Sequence, residues 1–439
     1  MSSLSKVRTL SCLLVTLLLA TAVWAQSRQP YPAAKTDRVI RPETPMVPPP
    51  LVNTPFPDPD FGSSIVRATD ETTNFKIPGS YLRNEASGQA NMFSSDTSKF
   101  YVIGQGGYEF AFHFNPSTMK ISSLPGASPG KGLVLPLRTG SSFSFTDPDL
   151  IYGTRPNAPL TITSYRFSTA VSAPVIDTST CGTQPSLVPG PNVVGDDDVS
   201  LSKDDNRLAI SEGGPQQGQH IFVMLYDKKL GCRWYNTQTG QIGGQWGASG
   251  SATVSTSYLI RHAYLSRSGN YVRILTNGSS WYVWDVATLV VTACSFNNAA
   301  MECGGYGVVG YNSYVNALGI VDQMNIGKRS LANLAQITPL VPLVPPFNFG
   351  QAKHFTWSNV DENDSTPVCA SSYNYEGDTA ITQPFDGEIF CIETDGAAST
   401  VWRFAHNRAI WVNPIFNTQP LGNIWMDGRF FLFTSGWDG

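Results

Sequence analysis

One phrase recurs along this chain from Phe93 onward: an apolar run, a polar turn, then a second apolar run. The turns read Ser94-Ser95-Asp96-Thr97-Ser98-Lys99, Thr146-Asp147-Pro148-Asp149, Ser202-Lys203-Asp204-Asp205-Asn206-Arg207, Ser266-Arg267-Ser268-Gly269-Asn270 and Met426-Asp427-Gly428-Arg429. The strand that follows each runs Phe100–Ile103, Leu150–Tyr152, Leu208–Ser211, Tyr271–Leu275 and Phe430–Thr434. Copies lie roughly 45–70 residues apart, somewhat looser than the ~40–50 of regular propeller repeats. A sheet of that size cannot bury its own faces, so neighbours must stack on it. A ring of stacked sheets meets that need and leaves only short edges. First strands near Phe93, Phe145, Val199, Tyr264, Val309, Phe355 and Ile424 predict an all-β chain, a β-propeller of seven four-stranded blades, with six or eight as the neighbouring counts.

The unit from His354 is the clearest. Phe355-Thr356-Trp357 forms its inner strand, Ser358–Ser365 the turn, and Val368–Tyr373, Ile389–Glu393 and Val401–Phe404 the next three strands. The unit near Val309 fits worst, and its stretch Pro339–Pro346 is expected to leave the blade as a surface loop. Strand alternation dominates, as in His220–Tyr226, and no long run with helical spacing follows the first residues.

Residues 1–25 read as a secretion signal: Lys6 and Arg8, the apolar stretch Leu10–Ala20, and Val23-Trp24-Ala25 as the cleavage site. That stretch is shorter than the ~20 residues a membrane span needs, so no span is expected after cleavage. Residues 26–60 hold ten prolines between Pro30 and Pro59 and read as a semi-rigid, extended linker. Residues 61–439 are the propeller. Its last repeat shows two strands before Gly439, and N-terminal strands, Ile65-Val66-Arg67 and Lys76–Leu82, are expected to close that blade, the alternative being that the sequence is a piece of a longer chain.

Charged residues make up 14% of the chain, against about 25% in ordinary soluble proteins. The formal charge of −4 becomes −6 once Lys6 and Arg8 leave with the signal. A mildly acidic surface without basic runs argues against a nucleic-acid partner. Beyond Cys12, six cysteines remain, an even number that suits disulfides in an exported chain. Cys294–Cys303 and Cys369–Cys391 are the preferred pairs, the alternative being small buried thiols.

Asp58-Pro59-Asp60-Phe61-Gly62 with Ile65–Asp70 resembles the lead-in of exported bacterial propellers. Thr146–Gly153 and Asp427–Ser435 are similar to turns of TolB-like propellers, a WD40-like class, with Trp425-Met426 standing where that repeat has Ser-Pro. Oligogalacturonate lyases carry a related propeller. The resemblance covers most of the chain from Asp58 and implies the fold. It also implies that a histidine-rich metal site is the feature to look for, although no lyase motif matches residue by residue.

Ligands of propellers sit at the axial mouth, where loops converge. His262 and His354, each beside an inner strand, and His406, after an outer strand, are the candidate ligand-binding and metal-ligating residues, with Trp357 beside them on its inner strand. Three imidazoles gathered there suit a divalent metal such as Mn²⁺ or Zn²⁺, while isolated histidines would make ordinary hydrogen bonds. Asp196-Asp197-Asp198 and Asp361–Asp364 offer oxygen donors for Ca²⁺ or are solvated turns. Trp234-Tyr235, Trp246, Trp281-Tyr282 and Trp402 stack on sugars or pack between blades. No phosphate-binding glycine loop with its lysine is present. The sequence thus points to a secreted or periplasmic, monomeric binding scaffold for a protein or polysaccharide ligand, the alternative being a metal-assisted carbohydrate-active enzyme such as a polysaccharide lyase.

Overall fold

The recurring turns set the architecture. In a computed structural model the backbone closes them in one way: Ser94, Ser144, Ser202, Ser266 and Trp425 each donate N–H to the carbonyl five or six residues on. The fourth residue of several is left-handed, Thr97, Asp205, Gly269 and Gly428, with φ between 55° and 78°. Glycine takes that conformation without strain, which is why two of the four turns carry it. The structure describes residues 30–437 apart from 47–48, 86, 139, 182–197, 215–218, 277–279, 295–306, 321–322, 342–351, 374–379, 396–399 and 411–417. Residues 30–35 belong to a separate unit and form a turn closed by Ala34 N and Tyr31 O. Everything below concerns the compact unit Thr36–Gly439.

Two short strands, β1 (Phe56–Pro57) and β2 (Ser64–Ile65), pair with each other. The first blade comprises β3 (Leu82–Arg83), β4 (Lys99–Gly104), β5 (Tyr108–Asn115), β6 (Lys120–Ser123) and β7 (Leu133–Val134). The second is β8 (Ser142–Phe143), β9 (Leu150–Arg155), β10 (Ala158–Arg166) and β11 (Val171–Asp177). The third has β12 (Ser200–Leu201), β13 (Arg207–Glu212), β14 (Phe222–Asp227), β15 (Gly231–Asn236), β16 (Gln241–Gly244) and β17 (Gly250–Ser251). The fourth is β18 (Ile260–Leu265), β19 (Tyr271–Thr276), β20 (Trp281–Asp285) and β21 (Val291–Cys294). The fifth is β22 (Val308–Val309), β23 (Ser313–Ile320), β24 (Gln323–Ser330) and β25 (Ile337–Val341), and the sixth is β26 (Ala352–Thr356), β27 (Val368–Tyr373), β28 (Glu388–Ile392) and β29 (Val401–His406). A hairpin, β30 (Gly422–Ile424) and β31 (Phe431–Phe433), follows.

The protein is therefore an all-β propeller of six blades, not seven. Among the described residues β31 pairs only with β30, and the N-terminal strands do not extend that sheet. Ile65 pairs with Phe56, and Leu82 joins the first blade opposite Gly104. The hairpin acts as a wedge instead. Trp425 and Leu432 pack on Phe100 and Phe112 of the first blade, while Phe431 and Phe433 meet Ile389 and Ala405 of the sixth together with Phe56 and Ile65. The fifth blade corrects the sequence reading at Pro339, which lies inside β25 opposite Gly327, on an outer strand where a missing N–H is tolerated, while residues 342–346 of the expected loop lie outside the described residues.

The core lies between sheets, as stacking requires. Ala209, Val223 and Tyr235 of the third blade, for example, share one cluster with Leu265, Ile274 and Trp284 of the fourth. Left-handed aspartates tie blades at the turn end. The Asp205 carboxylate accepts from Phe145 N at 3.0 Å and Thr146 N at 3.2 Å in the preceding blade, and Asp364 does the same for Tyr311 N and Asn312 N at 2.6 and 2.8 Å. Cys369–Cys391 forms as expected, across β27 and β28. Cys181–Cys232 ties the second blade's exit to the third blade. Cys294 is disulfide-bonded, and its expected partner Cys303 lies outside the described residues, as do the signal, Asp196 and Asp197.

Two features have no counterpart in the repeat. At residues Ser87 to Asn91 the chain stands off the first blade and lies among the inner strands of the others. The Gln89 side chain exchanges two bonds with the Val309 backbone, Arg267 donates to Gln89 O at 2.7 Å, Thr356 Oγ1 donates to Gly88 O, Asn423 donates to Ser87 O and Ala90 O, and Asn91 binds Phe143 O. Contacts with the innermost parts of four blades and the hairpin place this segment on the axis. The second feature is the proline-rich lead, which from Thr36 on belongs to the propeller's unit. Arg403 donates to Val39 O at 2.8 Å, Arg408 to Thr44 O at 2.8 Å, and Trp437 to Met46 O at 3.3 Å.

Candidate functional site

In an antiparallel meander the first strand starts, the second ends, the third starts and the fourth ends at one end of the blade. The turns between first and second strands lie at the other. The two ends differ chemically. At the turn end, besides the inter-blade Asp205 and Asp364, the carboxylates serve their own turns: Asp96 accepts from Ser98 N, Asp204 from Asn206 N, Asp361 from Ser365 N and Asp427 from Arg429 N. Lys203 and Glu362 also meet there at 2.6 Å, from the third and sixth blades. Asp361–Asp364 thus forms a turn and an inter-blade tie.

At the loop end the ionisable groups are buried. Glu109 starts β5, Glu212 ends β13, and His220 stands just before β14. His262 lies in β18, Lys353 and His354 in β26, Glu388 starts β28, and His406 ends β29. Asp198 precedes β12, and Glu85 sits just before the axial segment. Burial is the leading cause of the shifts at His262, His354, His406, Lys353, Glu212, Glu109 and Glu388. It holds His262 down to about 3 and His354 and His406 down to about 4, so all three are neutral imidazoles in the fold. It holds Lys353 down to about 7 and pushes Glu212 up to about 8. Glu109 is pushed well above the carboxylate range by burial, with the Glu85 and Asp198 charges adding to it.

The three histidines occupy different surroundings. His262 stacks on Tyr264, with its centroid 5.3 Å away, and feels Arg261, Arg273 and His220. His354 Nε2 meets Gln419 Oε1 at 2.8 Å, and its ring stacks on Tyr373. His406 packs edge-on against Phe61, with Asp60 Oδ2 3.6 Å from Nε2. The last two contacts come from the N-terminal strap. Trp357 is 1% exposed, donates Nε1–H to Thr366 O at 2.8 Å, and belongs to the core between the fifth and sixth blades. Among the described residues no three histidine, cysteine or acidic side chains gather as a metal-holding group. The three histidines expected for Mn²⁺ or Zn²⁺ are thus not among any such group of the described residues.

Of the aromatic candidates, Trp246 is half-buried against the core between the third and fourth blades, and the rest are core residues. Trp234, Tyr235, Trp281, Tyr282 and Trp402 are all buried. Sequence reading passed over the buried acids Glu109, Glu212 and Glu388. The available clue was a carboxylate set directly against an apolar run, as in Glu109-Phe110-Ala111-Phe112 and Glu388-Ile389-Phe390. It also passed over the exposed aromatics. Phe75, Tyr81 and Tyr108 are 43, 40 and 39% exposed. No described helix is long and apolar enough to cross a membrane.

No protein-family profile matches this sequence, and no curated protein matches it. Solved structures do match by fold. Oligogalacturonate lyase from Vibrio parahaemolyticus aligns over 92% of this chain and 95% of its own, at 13% identity and a TM-score of 0.51. An oligogalacturonate lyase in complex with manganese aligns over 92% and 96%, at 12% identity and 0.53. TolB from Acinetobacter baumannii aligns over 58% of this chain and 53% of its own, at 12% identity and 0.34. The lyase likeness shows a shared propeller fold over nearly the whole chain, as the sequence resemblance implied.

Proposed function

We propose that this chain is an exported binding propeller, secreted or periplasmic, that takes a protein or glycan ligand at the loop end of its ring. The observation that carries this reading is the separation of His262, His354 and His406 into three sets of partners. A metal-assisted lyase needs such donors around one ion, whereas a binding module leaves them free to serve the local packing of each blade. The segment at Gln89 supports the same reading, because its bonds to Arg267 and Val309 tie inner strands of two blades together where blades converge. Disulfides within the fold suit an oxidising compartment.

Elemental analysis of the purified mature protein and of a His262→Ala/His354→Ala variant tests this, run beside an assay for unsaturated products from oligogalacturonate. The binding reading expects neither metal dependent on those histidines nor product. Near-stoichiometric metal that the variant loses, together with product formation, would replace it with the lyase reading.

A further inference from the structure

The chain leaves the second blade through one self-bonded turn. Asp177 ends β11, its carboxylate accepts from Ser179 N at 3.0 Å, and Cys181 N donates to Thr178 O at 3.1 Å. Residues Thr178 to Cys181 therefore move as one piece. Two ties fasten that piece to the third blade. One is the Cys181–Cys232 disulfide, which reaches β15, and the other is the contact between Thr178 and Glu212, the last residue of β13. All four residues are buried, at 2% exposure or less. The protons at Thr178 tell which form Glu212 takes. Thr178 Oγ1 stands 2.9 Å from Leu160 O and 2.7 Å from Glu212 Oε1, and a threonine hydroxyl has one proton to donate. Both contacts are full hydrogen bonds when that proton goes to Leu160 O and Glu212 is a carboxylic acid donating its own to Thr178 Oγ1. Glu212 Oε2 has no hydrogen-bond partner among the described residues, which costs a neutral acid far less than a carboxylate. Of the elements packed on Glu212, β14 sets apolar Phe222 opposite it, and the turn brings the Asp177 carboxylate, whose charge also disfavours ionisation. His220 bonds Ser211 on the other face of β13.

We infer that this turn is a latch held shut by the proton on Glu212, and that ionising Glu212 frees the turn and opens Cys181–Cys232 to a dithiol reductant. An ionised carboxyl has no proton to give Thr178, so one of the two contacts is lost and a charge is left buried without a donor. Swinging the turn away brings water to that charge and uncovers the disulfide beside it. A thiolate of the dithiol then attacks one sulfur, the S–S bond breaks and the other cysteine leaves as a thiolate. The second thiol closes the reductant's own disulfide, so two electrons and two protons pass to Cys181 and Cys232. Burial raises Glu212 from 4.5 to about 8. Opening therefore becomes easier as pH rises from 4.5 and levels off near 8, because only the open form has lost its proton across that window.

The test is timed reduction of the mature protein by tris(2-carboxyethyl)phosphine near pH 5.5 and near pH 8, with freed thiols alkylated and located by peptide mass spectrometry. Cys369–Cys391, buried between β27 and β28 of the sixth blade, is the reference within the same chain. In the parent, the reduction rate of Cys181–Cys232 relative to that reference is expected to rise at least about tenfold between the two pH values, the limit being about tenfold per unit. Glu212→Gln keeps a donor for Thr178 but cannot ionise, and should hold the ratio constant. Thr178→Val removes the hydroxyl and should raise the ratio near pH 5.5 toward the parent's value near pH 8. A parent ratio that does not change with pH overturns the latch, and needs no variant to do so. An equal rise in the parent and in Glu212→Gln overturns Glu212 as its proton carrier, and with it the inference.

Discussion

Asp205 shows how one side chain does a task that the turn alone cannot. Its left-handed backbone turns the carboxylate back onto the second blade, where it accepts from Phe145 N, Thr146 N and Ser144 Oγ while 3% exposed. Bonds to a charged acceptor contribute about 1.5–3 kcal/mol each, and buried donors left without an acceptor are costly. Asp205→Ala should lower unfolding free energy by about 3 kcal/mol, read from urea transitions. A change within about 0.5 kcal/mol would mean that water replaces the carboxylate there. The residue type was legible in Ser202–Arg207 as a turn former. Its inter-blade role was not, because the acceptor geometry depends on a neighbour sixty residues away. The same limit applies to the site. Sequence sets His262 and His354 just before inner strands and His406 just after an outer one, whereas they lie within β18, within β26 and at the end of β29, and which groups surround them is decided by Tyr264, Gln419 and Phe61, none of which the repeat predicts.

Elements divide into those with periodicity and those without. First-strand positions near Phe145, Val199, Tyr264, Val309, Phe355 and Ile424 fall within or no more than two residues from β8, β12, β18, β22, β26 and β30, whereas Phe93 makes only an isolated bridge to Phe100. The blade count was overread because β30–β31 has the turn and first strand of a blade without a paired third strand among the described residues. The axial segment carries no apolar pattern, since Ser87-Gly88-Gln89 bonds through backbone and amide groups to strands distant in sequence. Gly88 is its tightest point: a Cβ there would lie 1.8 Å from Phe355 O. Backbone cannot retreat as a flexible side chain can, so Gly88→Ala must displace the segment from the axis. A loss of about 3 kcal/mol or more is expected by urea denaturation, within the range of severe packing defects. Unchanged stability would show that the segment is loosely held.

Across the whole molecule, the chemical contrast between the ends of the ring predicts how it responds to pH. His262, His354 and His406 are depressed to about 3, 4 and 4 from the unfolded value of 6.5. Each therefore contributes stability that is complete above 6.5 and is lost as pH falls toward those values, because the unfolded chain binds the proton first. Glu212 works in the opposite direction. Its folded value is raised to about 8 from 4.5, so its contribution is complete below 4.5 and is lost as pH rises to about 8. The side chain is fully buried, and its Oε1 meets Thr178 Oγ1 at 2.7 Å. Glutamine keeps that contact and its volume but cannot ionise. Glu212→Gln should therefore gain on the parent with rising pH, by up to about 1.4 kcal/mol per unit. Urea transitions of both proteins near pH 5 and near pH 8 measure that gap, which should widen in the variant's favour by about 4 kcal/mol at most. A constant gap would show that Glu212 is ionised in the fold throughout, and that the loop end is wetter than its packing implies.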